Sequence, residues 1–490
     1  MRMRQVSTHF LHKHVGSELV FTGFASRRLT TTRIESELNS EDVKERRRLV
    51  LERIREKSWS CFDIAGSFKY ENNPLSIFLK NRRQWYRSST RWRKENEEVA
   101  IACTHPDILR HLTRSERWSL LDTLYHTRNT MSRFVRSHCV SQILLHTHGE
   151  DLTWLKLRID SGREFQQQQE QQNDAALAKT WATRLRRAVF PSQGHEEETR
   201  NSRRRVMNNF DLQYVVLKDL TREHQIEVLQ HFVLSALDIE TPMIKVLSDI
   251  DDTVVAGFKD DRIPSSTIYP GAISFLTSIM HCSNKSRNLS QNNLPVAFIT
   301  ARPSGIRQSL AGYTRRQLRK QTQGSALDSG GVTVLAGSVS TGLNHSRIAK
   351  MKLRNFVLHK SLYPECKFVF VGDNGQGDAL LARDMIEKYP DRVRGTFIHR
   401  IEDKEEEEEV EESTQMFRTY AEATRMAFEM DLLSCEFALN VLQDCETEMK
   451  FLSLSAESNK EQAKRLECYS KILREDIELA RAAVVSRSDE

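Results

Sequence analysis

The stretch Leu247-Ser248-Asp249-Ile250-Asp251-Asp252-Thr253 is the most informative part of this chain, because its acidic residues follow directly on a short apolar segment. Ile244 to Leu247, interrupted only by Lys245, predicts a short buried strand, so the carboxylates leave that strand at its carboxyl end. Asp249 and Asp251 are two residues apart and are expected on the same side, close enough to share one divalent cation. A solvated turn or a helix cap is the ordinary alternative for a lone Asp pair.

Downstream of this stretch, short apolar runs alternate with longer polar-apolar segments, a pattern typical of strands separated by helices. It predicts an α/β fold with a doubly wound, mostly parallel sheet. Two polar loops, Ser283 to Asn293 and Gln321 to Gly331, are too short for a folded lid, so the cap is expected to be small or absent. The predicted strands are Ile244 to Leu247, Val296 to Ile299, Val332 to Leu335, Lys367 to Val371 and Val393 to Ile398.

The second motif is Phe298-Ile299-Thr300-Ala301-Arg302-Pro303, in which a predicted strand ends on a hydroxyl. Thr300 is expected to donate to a phosphate oxygen. Pro303 can begin the next helix, whose positive end favours an anion. A strand-ending threonine without a catalytic role is the alternative.

The third motif is a lysine that offsets the charge on the transferred phosphoryl group. Lys352 is preferred to Lys350 and Lys360, because it lies near the start of a predicted helix that leads to the fourth strand. A surface lysine is the alternative for each of the three.

The fourth motif is Val371-Gly372-Asp373-Asn374-Gly375-Gln376-Gly377-Asp378. Gly372 lets the backbone approach closely, while Asp373 and Asp378 present oxygens to a hard cation. A cation is required because a carboxylate that approaches a phosphate dianion in a desolvated site is repelled. Magnesium is therefore the predicted cofactor, and its predicted ligands are Asp249, Asp251, Asp373 and Asp378. A simple turn between a strand and a helix is the alternative.

Together these residue types fit a two-step phosphoryl transfer. Asp249 is predicted to attack phosphorus and form an aspartyl-phosphate, which divides one hard displacement into two easier ones. Asp251 is predicted to protonate the leaving oxygen and then to deprotonate the hydrolytic water. The predicted catalytic residues are Asp249, Asp251, Thr300 and Lys352, and the predicted substrate-binding residues are Thr253, Arg302, Gly372 and Asn374.

Ser248 to Thr253, Lys352 and Phe370 to Asp378 resemble the catalytic domain of the actin-patch-type phosphatidate phosphatases of the haloacid dehalogenase (HAD) superfamily. Asp-Ile-Asp-Asp-Thr is that family's form of the first motif, including Asp252 where the wider superfamily most often has Gly. Thr300 to Gly305 resembles the second motif of the lipins, another phosphatidate phosphatase branch. Both resemblances imply the same substrate class.

The resemblance covers about Ile244 to Ile401 and implies an HAD-like, Rossmannoid phosphatase that uses Mg²⁺ to convert phosphatidate to diacylglycerol and phosphate. The family more often has Ser where Asn374 stands, and Pro-Glu-Ile-Tyr where this chain has Ala379-Leu380-Leu381. These departures bear on the substrate and leave the phosphatase chemistry intact. The alternatives are an HAD phosphatase of a soluble or nucleic-acid phosphoester, with nucleic acid the less favoured partner, and a non-catalytic lipid-binding or scaffold module.

Composition sets the wider context. The chain has 490 residues, 39% hydrophobic and 29% charged, with a formal charge of +6, which suits a soluble globular protein of two or three domains. Its eight cysteines form no Cys-x-x-Cys pair, which favours reduced thiols. No apolar run approaches the ~18 to 20 residues that span a bilayer, so membrane contact is expected to be peripheral. The predicted location is cytoplasmic, with mitochondria as the minor alternative.

The predicted domains follow changes in composition. Lys80 to Lys94 mixes cations with aromatics and suits anionic lipid headgroups or nucleic acid, although a solvated helix face explains it almost as well. The predicted segments are a disordered basic tail or transit segment (1–40), a helical N-terminal region (41–190), a polar linker (191–210), an HAD-like phosphatase domain (211–401), an acidic spacer (402–412) and a C-terminal helical region (413–490).

Three helical predictions accompany this division. Thr113 and Glu116 form a capping-box pattern, followed by apolar residues at helical spacing. Thr221 can cap a helix that leads into the first strand. Met416 to Ala483 predicts two or three amphipathic helices. The predicted core residues of the first helix are Trp118, Leu121, Leu124 and Tyr125.

Overall fold

The computed structural model describes residues 97, 100–101, 104–126, 131–161, 211–257, 259–284, 296–303, 332–337, 344–375, 377–401, 414–456 and 460–488. The predicted N-terminal tail, the basic-aromatic segment Lys80 to Lys94, the linker and the acidic spacer lie outside these residues. So do the two predicted polar loops, apart from Ser283 and Asn284. The predicted domain boundaries stay predictions.

A six-stranded parallel sheet forms the centre of the fold, with the strand order β3-β2-β1-β4-β5-β6. The predicted α/β class and Rossmann-like sheet are confirmed, and all the predicted strands are present. The strands are β1 (Met243–Ser248), β2 (Val296–Pro303), β3 (Val332–Gly337), β4 (Cys366–Asp373), β5 (Val393–His399) and β6 (Thr414–Phe417).

Helices cover the sheet. The described helices are α1 (Pro106–His111), α2 (Arg114–His126), α3 (Arg133–Leu145), α4 (Gly149–Ser161), α5 (Leu212–Tyr214, continued by the π-helical turn Val215–Asp219), α6 (Arg222–Ala236), α7 (Ala272–Ser283), α8 (His345–Leu362), α9 (Asp378–Lys388), α10 (Tyr420–Glu429), α11 (Cys435–Ala456) and α12 (Lys460–Ser488). Helix α7 packs against β1, α8 against β2 and β3, α9 against β4 and β5, and α10 against β6. All six residues of β1 are buried, as expected for a parallel strand covered on both faces.

The N-terminal helices pack on one another and on the sheet layer. Helix α2 contacts α3 and α4, α3 contacts α6, and α4 also reaches β3. The predicted capping box is confirmed, because the Thr113 amide donates to Glu116 Oε2 at 2.8 Å and the Glu116 amide donates to Thr113 Oγ1 at 3.3 Å. The predicted core residues Trp118, Leu121, Leu124 and Tyr125 are all buried.

Two predicted helix starts differ in detail from the structure. Helix α6 does begin after Thr221, but the Thr221 hydroxyl lies 3.0 Å from His224 Nδ1 and makes no capping bond to the backbone. The C-terminal region begins with β6, which pairs with β5, and the three helices α10 to α12 follow it. This four-residue strand carries too few apolar residues to show a period, so no local pattern indicates it.

No helix among the described residues is long and apolar enough to cross a lipid bilayer.

Candidate active site

The candidate site lies at the carboxyl ends of the two central strands. Asp249 directly follows β1, and Asp373 is the last residue of β4. The strands pair as far as Ser248 and Val371, and the Asp249 amide then donates to the Val371 carbonyl at 2.8 Å. Because parallel strands bring their carboxyl ends to one edge, the first and fourth motifs meet there as predicted.

Asp378 joins these two carboxylates from the first turn of α9. Gly377, which precedes the helix, has φ +82°, a left-handed conformation that glycine adopts without strain. Gly372 is required for a different reason: a Cβ there would lie 2.6 Å from Asp378 Cβ. The two glycines therefore let the turn fold tightly enough to place Asp378 beside Asp373.

Three buried carboxylates form a cluster: Asp249, Asp373 and Asp378. One oxygen from each of them lies within 4.8 Å of one oxygen from each of the other two. Asp373 Oδ2 and Asp378 Oδ2 are buried without a hydrogen-bond partner. Such oxygens are costly unless a cation or a proton compensates them. An all-oxygen carboxylate set is what hard cations such as Mg²⁺ bind, so the residues fit a divalent metal.

Lys352 supplies the positive charge at this cluster. Its Nζ lies 3.0 Å from Asp249 Oδ1 and 2.6 Å from Asp378 Oδ1, and the side chain is fully buried. The two rival lysines of α8 lie elsewhere: Lys350 is exposed, and Lys360 Nζ is 3.7 Å from the Tyr389 ring centroid. Among the predicted lysines, Lys352 is therefore the one that reaches the carboxylates.

The charges at the site are not balanced. Burial raises the pKa of Asp249 although Lys352 opposes this shift, and burial together with the Asp378 charge raises the pKa of Asp373 to about 7. The pKa of Asp378 is also raised by burial. Burial lowers the pKa of Lys352, but Asp249 and Asp378 outweigh it and raise the pKa overall. Three carboxylates against one ammonium leave a negative excess that a divalent cation would neutralise.

Asp251 lies outside this cluster of three carboxylate oxygens, and its assignment as a metal ligand stays a prediction. Strand β1 ends at Ser248, so the two-residue alternation that placed Asp251 beside Asp249 no longer applies. Asp251 is half-buried and forms an isolated parallel bridge with Val255. Its charge still raises the pKa of Asp249, so it lies close enough to influence the site.

Asp252 shows why this position most often carries Gly in the wider superfamily. Its φ is +57°, in the left-handed region, where Asp is tolerated because its short polar side chain can bond locally. Here Asp252 Oδ1 accepts a hydrogen bond from the Gly257 amide at 2.6 Å. The acidic residue therefore stabilises the loop that follows Asp249.

The remaining predicted residues surround the cluster. Thr300 is buried in β2, two residues beyond the Ser248–Phe298 pair, so it lies at the same sheet edge; β2 itself continues to Pro303. Thr253 Oγ1 is buried without a hydrogen-bond partner. Asn374 Oδ1 accepts from the Ile401 amide at 3.0 Å, which fixes the fourth motif against the end of β5. The side chain of Arg302 lies outside the described residues.

Sequence reasoning missed two residues that hold the site loops. Lys259 Nζ donates to the Gly375 carbonyl at 2.5 Å, which ties the loop after Asp249 to the fourth motif. Tyr420, at the start of α10, donates to the Thr253 carbonyl at 2.9 Å. Neither residue belongs to a motif, and both partners are distant in sequence, so the sequence held no local signal for these contacts.

The comparisons with known proteins agree with this geometry. Residues 244–400 match the family described as phosphatidate phosphatase APP1, catalytic domain. The matched segment runs from β1 through β5 and contains Asp249, Lys352, Asp373 and Asp378. No curated protein and no solved structure matches the chain. The family match confirms the resemblance drawn from the motifs.

Proposed function

We propose that the domain at residues 244–400, a phosphatidate phosphatase-like phosphoric monoester hydrolase, uses Mg²⁺ to convert phosphatidate to diacylglycerol and inorganic phosphate. The observation that carries this proposal is the buried set of Asp249, Asp373 and Asp378 around Lys352 at the carboxyl edge of the sheet. These residues combine a nucleophile, a cation site and a fixed positive charge in one desolvated place.

The proposed reaction has two displacements. An Asp249 carboxylate oxygen attacks phosphorus, the bond from phosphorus to the glycerol oxygen breaks, and Asp251 gives its proton to that leaving oxygen. A water molecule then attacks the phosphorus of the aspartyl-phosphate, and Asp251 takes a proton from this water. The bond from phosphorus to the Asp249 oxygen breaks, and inorganic phosphate leaves. Asp251 fits this role because it is half-buried and close to Asp249 but outside the carboxylate cluster.

The other residues would hold the phosphate group. Lys352 would offset its negative charge, and Thr300 and the unpartnered Thr253 hydroxyl would donate to its oxygens. Arg302, Gly372 and Asn374 complete the proposed substrate-binding set. Asp249, Asp373 and Asp378 would hold Mg²⁺, which when bound lowers the repulsion between the carboxylates and the substrate dianion. Asp251, the fourth predicted ligand, lies outside this set of three carboxylates and stays a prediction.

The lipid substrate is supported by the phosphatidate phosphatase activity that names the matched family and by the lipin-like second motif. A soluble or nucleic-acid phosphoester and a non-catalytic lipid-binding role remain as outcomes of the test. The panel therefore compares phosphatidate in mixed micelles with small sugar phosphates and 3′-phosphorylated DNA, each with Mg²⁺ and with a chelator.

The test variant is Asp249→Asn, and the matched control is Asp391→Asn. Asp391 is exposed and precedes β5, so it lies at the opposite edge of the sheet. Wild type and the control should release phosphate from phosphatidate only with Mg²⁺, and Asp249→Asn should reduce release at least about a thousandfold. No release by wild type, or undiminished release by Asp249→Asn, contradicts the proposal. If a soluble phosphoester is hydrolysed faster than phosphatidate, that phosphoester is the preferred substrate instead.

A further inference from the structure

Helices α11 and α12 form a hairpin that extends past the active-site edge of the sheet. Helix α11 passes this edge near Cys445 and Glu448: Cys445 Sγ lies 3.6 Å from the Pro270 carbonyl oxygen, and Glu448 Oε2 accepts from the Gly271 amide at 2.8 Å. Gly271 begins α7 directly after the loop that follows Asp249. The eight residues that follow Glu448, up to Ala456, then carry α11 roughly 12 Å further.

Helix α12 returns along the same side of the molecule. Arg465 forms a 2.7 Å ion pair with Asp261, and the guanidinium of Arg262 lies 5.6 Å from the ring centroid of Tyr469. Both partners belong to the loop after Asp249. Only at Asp476 does α12 reach Arg418, which directly follows β6. The described residues 449–456 and 460–465, which we call the hairpin tip, therefore lie on the active-site side and beyond the sheet edge.

The tip exposes two large apolar side chains. Phe451 is 69% exposed and Leu454 is 65% exposed, and their spacing of three residues places them on one face of α11. They are not needed for the hairpin core, because Met449 from α11 and Leu466, Tyr469 and Leu473 from α12 are already buried. An apolar pair at a projecting tip indicates a surface that contacts something else.

The charges around this pair favour an anionic surface. The sequence from 449 to 465 contains four cationic and two acidic residues, and Asp261, which pairs with Arg465, reduces the formal excess to one positive charge. Lys450, next to Phe451, and Lys464 on the returning helix are both exposed. Apolar side chains beside lysines are the combination that binds an interfacial layer of anionic lipid.

We propose that the hairpin tip is a lipid-contact element, with Phe451 and Leu454 entering an anionic bilayer surface while the carboxyl edge of the sheet faces the same surface. This inference rests on the proposed function, since a phosphatidate headgroup must reach Asp249 from a membrane. It assigns the contact to a part of the chain outside the matched catalytic domain.

The test measures vesicle binding without turnover. The full-length chain carrying Asp249→Asn is mixed with phosphatidylcholine vesicles that contain phosphatidate, and the bound fraction is measured by flotation. Adding Phe451→Ser and Leu454→Ser should weaken vesicle binding roughly tenfold or more, because two apolar side chains are no longer transferred from water into the bilayer surface. The matched control adds Leu439→Ser and Leu479→Ser, exposed apolar residues of the same helices that lie away from the tip. This control should bind like its parent.

Two further measurements separate the possible failures. Equal binding of the tip variant and the control overturns the inference. Sedimentation of the protein without vesicles tests whether the tip joins two copies of the chain. If the tip variant alone has a lower molecular mass than its parent, and its vesicle binding is unchanged, the inference is also overturned. In the active background, the ratio of turnover in vesicles to turnover of monomeric short-chain phosphatidate should fall roughly tenfold. If wild type hydrolyses no phosphatidate but tip-dependent binding persists, the proposed function fails and the lipid contact stands.

Discussion

The two edges of the central sheet both carry buried charges, but only one edge balances them. At the amino edge, Lys156 Nζ lies 2.6 Å from Glu365 Oε1, with both side chains 1% exposed, and Lys245 Nζ lies 3.6 Å from Asp160 Oδ2. Each cation there faces one acid. At the carboxyl edge, three carboxylates of the described residues lie around the ammonium of Lys352.

The balanced pairs at the amino edge are structural, whereas the unbalanced carboxylates at the carboxyl edge belong to the proposed active site. Lys156 and Asp160 belong to α4, whereas Lys245 is in β1 and Glu365 directly precedes β4, so the balanced pairs hold the N-terminal helices to the sheet. Removing one member of a buried pair leaves an uncompensated charge. At the carboxyl edge an uncompensated negative charge already exists, which can attract a cation, and a bound cation would lower the repulsion between the carboxylates and a phosphate ester.

Loss of Lys352 should have the largest effect on activity. Lys352→Gln removes the ammonium that contacts Asp249 and Asp378, so phosphate release should fall about 10³-fold. Lys350→Gln is the matched control, because Lys350 is on the same helix but exposed, and its activity should be unchanged. Steady-state phosphate release, with folding checked by circular dichroism, measures both. Equal losses of activity in the two variants would contradict a role of Lys352 in the proposed site.

Breaking the balanced edge should instead cost stability. Glu365→Gln leaves Lys156 buried without its acid and should lower the free energy of unfolding by about 3–5 kcal/mol. Turnover per folded molecule should not change. Asp384→Asn, which breaks the more exposed pair Lys388–Asp384, should cost less than about 1 kcal/mol. Urea unfolding measures both variants, and a similar cost for the two would mean that the amino-edge pairs do not hold the fold.

Asp373→Asn should show the opposite combination. Phosphate release should fall about a hundredfold or more, since even the loss of a group that only orients a metal ligand costs 10–100-fold. Without metal, the variant should be more stable than wild type by about 1 kcal/mol at pH 8, because one repelling carboxylate is gone. It should also lose the Mg²⁺-induced rise in melting temperature, which Glu365→Gln should retain. A destabilised metal-free variant would contradict the charge imbalance.

The smallest expected effect is a pH dependence of the metal-free protein. The pKa of Asp373 is raised from 3.8 to about 7, so the folded state holds a proton that the unfolded state has lost. This contribution to stability is full below pH 3.8 and disappears as the pH rises through about 7. Wild type should therefore lose about 1 kcal/mol more than Asp373→Asn between pH 6 and pH 8. Urea unfolding in the presence of a chelator measures this difference, and equal slopes would refute it.

The strands and their terminal carboxylates could be predicted because both depend on local sequence. Apolar runs of strand length predicted β1 to β5, and parallel strands must bring Asp249 and Asp373 to one edge. The position of Asp251 could not be predicted, because the strand ends one residue before Asp249 and the alternation of side chains ends with it. Strand β6 was missed because it is short and pairs only through its contact with β5.

Local sequence patterns are enough to predict the fold class, the sheet edge where the acidic motifs meet and the family that residues 244–400 match, since each depends on residues within short segments. Which lysine reaches the carboxylates, and where charges are balanced, depends on the packing of distant segments. Lys156 and Glu365 are 209 residues apart, and Lys352 and Asp378 are 26 apart. Such pairs form only when packing brings distant segments together, and their burial then sets the energy of every charge in them.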